Sequence, residues 1–174
     1  MALIVETGLI VANANSYISL SDAATYHTLY GNLDWVATDA DLEQALINAC
    51  MSMELLYGPR YLSEKVYYST QSLLFPRMYF YDNNFTLVPL NTIPPKLKQA
   101  QAELALMSLN GVNLFPEENP EAGIMSQSVK VTDFSKSTTY LKPQLKEEYV
   151  GFRKIDLILA ALLKSKTQNL TLKR

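Results

Sequence analysis

The sequence predicts a mainly α-helical protein with a short β-hairpin, extended arms, and a C-terminal helix followed by a polar tail. Three observations support this fold class. Three stretches place apolar residues at helical spacing behind good capping residues, and each ends at a glycine. One stretch between them loses the helical period and has strand-like composition. A further amphipathic stretch near the C-terminus predicts the last helix.

The clearest helix occupies residues 93–111, and we expect the rest of the chain to be organised around it. Thr92 is the expected N-cap, and Pro94 and Pro95 suit a first turn, where a missing N–H is not needed. Gly111 supplies a left-handed stop. The apolar stripe that must find a partner consists of Leu97, Ala100, Leu104 and Met107, with Ala105 and Leu109 beside them.

Two further helices are predicted before this one. Ser19 or Ser21 is the expected N-cap of the first, which should end at Gly31. Thr38 or Asp39 is the expected N-cap of the second, which should end before a Gly-Pro pair. The apolar stripe of the second helix consists of Leu42, Ala45, Leu46, Ala49, Met53 and Leu56.

Extended structure is expected in the segments between the helices. Residues 2–12 should form a short strand, a turn and a second apolar piece. Residues 66–68 and 78–81 have strand-like composition and should form the sides of an aromatic hairpin insert. Residues 124–134 alternate well enough for a strand, and residues 135–142 should continue as an extended arm.

The chain fits one domain with arms, because 174 residues suffice for one core. We expect a helical core in residues 1–134, which includes the hairpin insert at about 60–92, and a C-terminal extension in residues 135–174. The last helix of that extension should begin at Glu147 or Tyr149. Its apolar face consists of Phe152, Ile155, Leu159 and Leu162, with Ile158 beside it.

Composition excludes several classes of protein. Hydrophobic residues make up 48% of the chain and charged residues 18%, which is typical of a globular fold. No apolar run reaches the roughly 18 residues that a membrane span needs. The first residues lack the basic region of a signal peptide, and Cys50 is the single cysteine. We therefore expect synthesis inside a cell, no disulfide framework and no membrane partner.

Charge is distributed unevenly along the chain. Residues 1–59 hold seven acidic and no basic side chains, whereas residues 60–174 hold 15 basic and ten acidic ones. Three interpretations stay open. The acidic side chains form a solvated face and the tail is frayed, or acidic and basic surfaces of neighbouring copies meet head to tail, or the tail binds DNA phosphates or an acidic partner.

Aromatic side chains are concentrated in the hairpin insert. They pack over a small core in one interpretation and form a protein–protein interface in a second, because Tyr and Arg concentrate in such interfaces. In a third, Tyr67, Tyr79 and Tyr81 line a basic groove and stack on single-stranded bases. The candidate contacts for a neighbouring subunit or a tail protein are Tyr67, Tyr68, Arg77, Tyr79, Phe80 and Tyr81.

The sequence predicts no catalytic residues, no cofactor and no metal. His27 is the only histidine, and one His with one Cys cannot supply a zinc site. The phosphate-binding loop and the dinucleotide fingerprint do not occur in the sequence. Glu117, Glu118 and Glu121 lie in a Pro-rich loop, which favours a solvated turn over an acid–base or metal site. The chain is therefore expected not to be an enzyme.

Four short motifs follow one another in the first 111 residues. They are, in order, Ala14-Asn15-Ser16-Tyr17; Trp35 with Ala45-Leu46-Ile47-Asn48-Ala49; Gln71 with Phe75-Pro76-Arg77; and Ile93-Pro94-Pro95-Lys96-Leu97-Lys98-Gln99-Ala100 with Glu103-Leu104-Ala105. Together they resemble a family of tailed-phage head-to-tail adaptor, or head-completion, proteins, which are also described as DnaT-like single-stranded-DNA-binding proteins. Phe75 departs from that pattern, because it stands where the family usually has Trp.

The resemblance implies a structural virion protein with a small helical-bundle core and no catalytic residues. Such proteins form a homo-oligomeric ring, usually of twelve copies, beneath the portal protein. They extend the channel through which double-stranded DNA passes, without reading its sequence, and offer a docking platform for the tail or head-completion protein below. The implied location is the neck of the virion, after synthesis in the host cytoplasm.

The second family description gives the alternative function, a single-stranded-DNA-binding protein. The net charge of −2 and the base-free first 59 residues argue against it. For the adaptor, the acid-free basic tail is the candidate contact with the portal. The residues that we expect to reach the portal are Lys164, Lys166, Lys173 and Arg174.

Overall fold

A computed structural model describes residues 2–67, 70–79, 81, 86–115 and 152–164, together with the backbone of residues 125–131 and 134–140. Its contacts divide the chain into two compact units, of which one contains residues 1–114 and 152–174 and the other residues 115–151. The predicted fold class is confirmed: the described residues contain four α-helices and only short antiparallel sheets. The helices are α1 (Leu20–Leu29), α2 (Asp39–Tyr57), α3 (Pro95–Leu109) and α4 (Arg153–Leu159).

The first two helices begin where their capping residues predict. The Ser19 hydroxyl accepts the backbone N–H of Asp22 at 3.1 Å, and the Thr38 hydroxyl accepts that of Asp41 at 3.3 Å. Each aspartate also places a negative charge at the positive end of a helix dipole. The second helix continues into a short 3-10 turn at Gly58–Arg60.

The start of α3 differs from the prediction, because Pro94 and not Thr92 is its N-cap. Pro95 disfavours helical backbone at the residue before it, and Pro94 is accordingly extended, with φ −57° and ψ 133°. The helix therefore begins one residue after the first proline. Its end is as predicted, since Gly111 takes the left-handed conformation, with φ 77°.

Helix α3 is the centre of the first unit and packs against α1, α2 and α4. Because three helices surround it, it is buried on more than the single predicted stripe. Its small alanines allow this close approach on several sides. The buried residues are Leu97, Ala100, Gln101, Ala102, Glu103, Leu104 and Ala105, whereas Met107 and Leu109 are only half-buried.

Extended structure in the first unit is shorter than the sequence predicts. Strands β1 (Glu64–Lys65) and β2 (Arg77–Met78) form a two-residue antiparallel ladder. The first precedes the predicted segment 66–68, and the second overlaps the predicted segment 78–81 at Met78 alone. Residues 68, 69, 80 and 82–85 lie outside the described part. Residues 2–12 do not form the predicted strand, and one isolated bridge joins Val5 to Ser16.

Loop 7–11 is held in an irregular conformation by one buried carboxylate. Glu6 accepts the backbone N–H groups of Gly8, Ile10 and Val11 at 2.8–3.0 Å, which a strand would have used in a ladder. Gly8 has φ 101°, and a Cβ atom there would lie 2.2 Å from the carbonyl oxygen of Asn91. Glycine is thus required for conformation and for space.

The last helix, α4, is shorter than predicted, because Phe152 is its extended N-cap. A 3-10 turn, Ala160–Leu162, follows it. The predicted apolar face is largely confirmed, with Ile155, Leu159 and Leu162 buried and Phe152 half-buried. None of the helices in the described residues is long and apolar enough to cross a bilayer.

The second unit contains one antiparallel hairpin of strands β3 (Met125–Val131) and β4 (Phe134–Tyr140). Met125 pairs with Tyr140 at one end and Val131 with Phe134 at the other. The predicted strand at 124–134 and the predicted extended arm at 135–142 therefore largely pair with each other, although Phe134 belongs to β4. The predicted domain boundary after residue 134 falls within this hairpin, and the division of the chain into a core and an extension stays a prediction.

Candidate functional site

Three of the six aromatic-segment residues predicted to contact a partner are exposed: Tyr67, Tyr79 and Tyr81. Tyr68 and Phe80 lie outside the described residues. Arg77 is buried, with 9% of its surface exposed. The predicted contacts with a subunit or tail protein stay predictions, but the exposed tyrosines are placed where a partner could reach them.

Arg77 holds its own loop through its guanidinium. Its Nε donates to the carbonyl of Leu62 at 2.7 Å, and its other nitrogens donate to the carbonyls of Leu74 and Ser63. The guanidinium also lies over the rings of Tyr61 and Phe75, 5.8 and 5.7 Å from their centroids. This structural role was not part of the sequence prediction.

Gln71 fixes the other side of the same loop. Its side-chain amide donates to the carbonyl of Pro76 at 2.8 Å, and its side-chain oxygen accepts the backbone N–H of Tyr67 at 3.2 Å. With Phe75 buried beneath, the Gln-x-x-x-Phe-Pro-Arg motif closes a loop onto the helical core. The spacing of Gln and Arg around a proline was the sequence signal for this loop.

Of the predicted portal contacts, only Lys164 lies in the described part of the chain. Its side chain is exposed, while its backbone N–H donates to the carbonyl of Arg60 at 2.8 Å. Lys166, Lys173 and Arg174 lie outside the described residues. The structure therefore leaves these four contacts as predictions.

Of the seven N-terminal acids, Glu6 is buried and Glu54 is half-buried with its carboxylate hydrogen-bonded inside the fold. Glu6 is fully buried in its cage of backbone N–H groups. Glu54 accepts the Tyr17 hydroxyl at 2.5 Å and the Leu74 backbone N–H at 2.8 Å. Desolvation raises the pKa of Glu54, although its hydrogen bond from Tyr17 works in the opposite direction. The acids at or near the surface are Asp22, Asp34, Asp39, Asp41 and Glu43.

Three of these surface acids, Asp39, Asp41 and Glu43, lie at the start of α2. We call this part of α2 the acidic end. Asp39 and Asp41 lie in its first turn and are exposed. Asp41 lines an open groove together with Ser108 and Leu109 of α3. No Lys or Arg lines this groove among the described residues. The acidic end therefore adjoins the C-terminal end of the central helix.

A basic cleft of about 470 Å³ opens between α1, α3 and α4. Glu103 is its buried floor, where the carboxylate accepts the Tyr26 hydroxyl at 2.9 Å and pairs with Lys154 at 2.5 Å. Burial, with the carboxylate beside it, raises the pKa of Tyr26, so its hydroxyl stays a donor. The residues that line the cleft are Tyr26, Tyr30, Asn32, Lys96, Gln99, Glu103, Lys154, Leu157 and Ile158.

His27 is a packing residue. Its ring is 1% exposed and stacks on Trp35 with centroids 4.3 Å apart. The Asn32 side-chain amide lies 3.0 Å from its Nδ1. Desolvation lowers the pKa of His27, which favours the neutral ring. Within the described residues, no three His, Cys, Asp or Glu side chains form a group that could hold a metal ion.

Comparison with known protein families shows which family the chain belongs to. The whole chain, residues 1–174, matches the family described as “Putative DnaT-like ssDNA binding protein”. The chain belongs to this family. No curated protein and no solved structure matches it. The predicted resemblance to the DnaT-like family is confirmed. The predicted role as a head-to-tail adaptor stays a prediction.

Proposed function

We propose that this protein is a structural, non-enzymatic subunit, a head-to-tail adaptor that assembles as a ring beneath a phage portal. The observation that carries the proposal is the exposed apolar surface of residues 29–36. Leu33 is 87% exposed and Val36 82%, and Leu29 and Tyr30 are exposed beside them. A monomer seldom leaves several large apolar side chains this exposed within eight residues of chain, whereas a subunit covers them on assembly.

Charge gives a second argument for a subunit. The acidic end adjoins the C-terminus of α3, and Lys96 of the basic cleft lies in its first turn. Surfaces of opposite sign on different parts of one protein favour contacts between unlike surfaces of successive copies, and such contacts build rings. The acidic surface would also let a duplex pass through the ring without binding tightly.

The test is co-sedimentation of the full-length protein with purified portal. The adaptor should join the portal in a fixed ratio of several copies, and the complex should weaken as salt rises because charged surfaces form it. A variant with Leu33→Ser and Val36→Ser should sediment less with the portal, while Met51→Ser on the exposed side of α2 serves as the matched apolar control. A wild-type protein that stays a monomer and ignores the portal would contradict the adaptor.

Single-stranded-DNA binding is the second candidate, and the family description favours it. The cleft supports it as well, because it combines the exposed ring of Tyr30 with Lys96 and Lys154. An aromatic face with nearby cations is the usual platform for an unpaired base. Fluorescence anisotropy with a labelled oligonucleotide at low salt separates the two candidates. Tight binding that Tyr30→Ala abolishes, without any portal binding, would favour this function over the adaptor.

A further inference from the structure

The tertiary fold separates the charges of the chain to opposite ends of α3. Lys96 and Lys98 lie in its first turn, whereas Asp41 lies beside Ser108 and Leu109 at its last turn. At a rise of 1.5 Å per residue, the two ends of a 15-residue helix are roughly 20 Å apart. The acidic end and Lys96 of the basic cleft therefore lie on distinct parts of the surface, which one copy cannot bring together.

The positive charge of the basic cleft is only partly neutralised within its own chain. Lys154 pairs with Glu103, but an ammonium has three N–H donors and its side chain is 60% exposed. Lys96 is exposed and has no ion pair with a described residue. Arg153, the residue before Lys154 at the start of α4, is another exposed base. The cleft can therefore accept carboxylates from outside.

The basic cleft and the acidic end also carry exposed apolar side chains that can pack against each other. Tyr30 and Leu157 are exposed at the cleft, 58% and 62% respectively. Val36 is exposed three residues before the first turn of α2. An acidic turn preceded by an apolar side chain has the composition that a basic cleft with apolar walls recognises.

We propose that the basic cleft binds the acidic end of a second copy of this chain. Asp39 and Asp41 of one copy pair with Lys96 and Lys154 of the next, and Val36 packs into the apolar wall. The inference rests on the proposed function in taking the protein to be an oligomer, and it adds which surfaces meet. Because the two surfaces consist of different residues, the contact is heterologous and repeats from copy to copy.

The test is a charge swap between the two surfaces. Lys96→Glu and Asp39→Lys should each raise the Kd of self-association about tenfold, the effect of losing one interfacial charge pair. A mixture of the two variants should associate nearly as well as wild type, because the reversed lysine and the reversed aspartate then face each other. Asp22→Lys, at an exposed acid outside both surfaces, is the matched control, and circular dichroism shows that each variant is folded.

Sedimentation velocity, alone and with purified portal, gives the readout and distinguishes this inference from the proposed function. If wild type assembles on the portal but both reversals assemble equally well, or the mixture is not rescued, the cleft contact is wrong and the adaptor stands. If wild type neither self-associates nor binds the portal, both fail. If Lys96→Glu lowers only oligonucleotide binding, the cleft is a nucleic-acid site and the self-contact is overturned.

Discussion

The Tyr17 hydroxyl donates a 2.5 Å hydrogen bond to the Glu54 carboxylate, and this contact joins the chain before α1 to the last turns of α2. The same hydroxyl accepts the backbone N–H of Phe75 at 3.2 Å, and the carboxylate accepts that of Leu74. The pair of Tyr17 and Glu54 thus anchors the loop at Leu74 and Phe75 onto α2 and onto the chain before α1, which are distant in sequence. Burial raises the pKa of Tyr17 well above its ordinary value, which keeps the hydroxyl protonated.

Removing that hydroxyl should lower stability. Tyr17→Phe leaves the ring in place but deprives Glu54 of a donor and the Phe75 N–H of an acceptor, so we expect a loss of about 2–4 kcal/mol in the free energy of unfolding. Urea denaturation followed by circular dichroism measures it. Tyr67→Phe, on an exposed ring, should change stability by less than about 0.5 kcal/mol. Equal effects of the two variants would contradict the role of the pair.

The Glu54 carboxyl should make stability depend on pH. Because burial raises its pKa in the folded state, the folded protein holds this proton more tightly than the unfolded chain does. Its contribution is therefore full below the ordinary glutamate pKa, about 4.3, and is lost as pH rises through the folded pKa. The stability of wild type relative to Glu54→Gln should fall across that window. A constant difference between the two proteins would contradict the prediction.

Replacing the loop arginine should destabilise the aromatic hairpin. Arg77→Lys keeps the charge, but its three donors are on a single nitrogen, which cannot reach the carbonyls of Leu62, Ser63 and Leu74 as three separate guanidinium nitrogens do. We therefore expect a cost of about 2–3 kcal/mol. Thermal denaturation gives the change. Arg153→Lys, at an exposed position on α4, is the control and should leave the melting temperature within experimental error. An Arg77→Lys variant as stable as wild type would show that the loop does not depend on the guanidinium.

Gln101 should be less tolerant of substitution than its position in a helix suggests. Its amide nitrogen donates to the Ser16 hydroxyl and the Leu46 carbonyl at 2.8 and 2.9 Å, and its oxygen accepts the Tyr17 N–H at 2.8 Å. Gln101→Leu leaves these buried groups without their partner and should lower the free energy of unfolding by about 3 kcal/mol or more, as measured by denaturant unfolding. Gln44→Leu, on the exposed face of α2, should leave stability nearly unchanged. A Gln101→Leu variant as stable as wild type would contradict the role of this hydrogen-bond network.

The basic C-terminal tail should matter for docking and not for folding. Deleting residues 165–174 removes three bases and no acid, so binding to an acidic portal surface should weaken, most of all at low salt. Pull-down with purified portal measures docking, and a melting curve checks that the remaining chain is folded. The acidic replacement Lys166→Glu with Lys173→Glu should weaken docking further. Undiminished docking of the truncated protein would remove the tail as the portal contact.

Local patterns in the sequence were sufficient to predict the helices. The Ser19 and Thr38 caps, the left-handed Gly111 and the stripes of α2 and α3 depend on neighbours within a few residues, so composition and spacing determine them. The predicted first residues of α3 and α4 were wrong, because residue types alone do not show which of several neighbouring residues is the N-cap. The strand predicted in residues 2–12 failed because the buried Glu6 carboxylate took the N–H groups that a ladder needs.

The sequence by itself determined that this chain is mainly helical, that all of its lysines and arginines follow residue 59, and that it belongs to the DnaT-like family. Only the tertiary structure decided which charges reach the surface, since Glu6, Glu54 and Arg77 are used inside the fold. It also decided that the acidic end lies beside the last turn of α3, whereas Lys96 of the basic cleft lies in its first turn. The physical reason is that burial and proximity across distant segments depend on how the helices pack, which no local pattern contains.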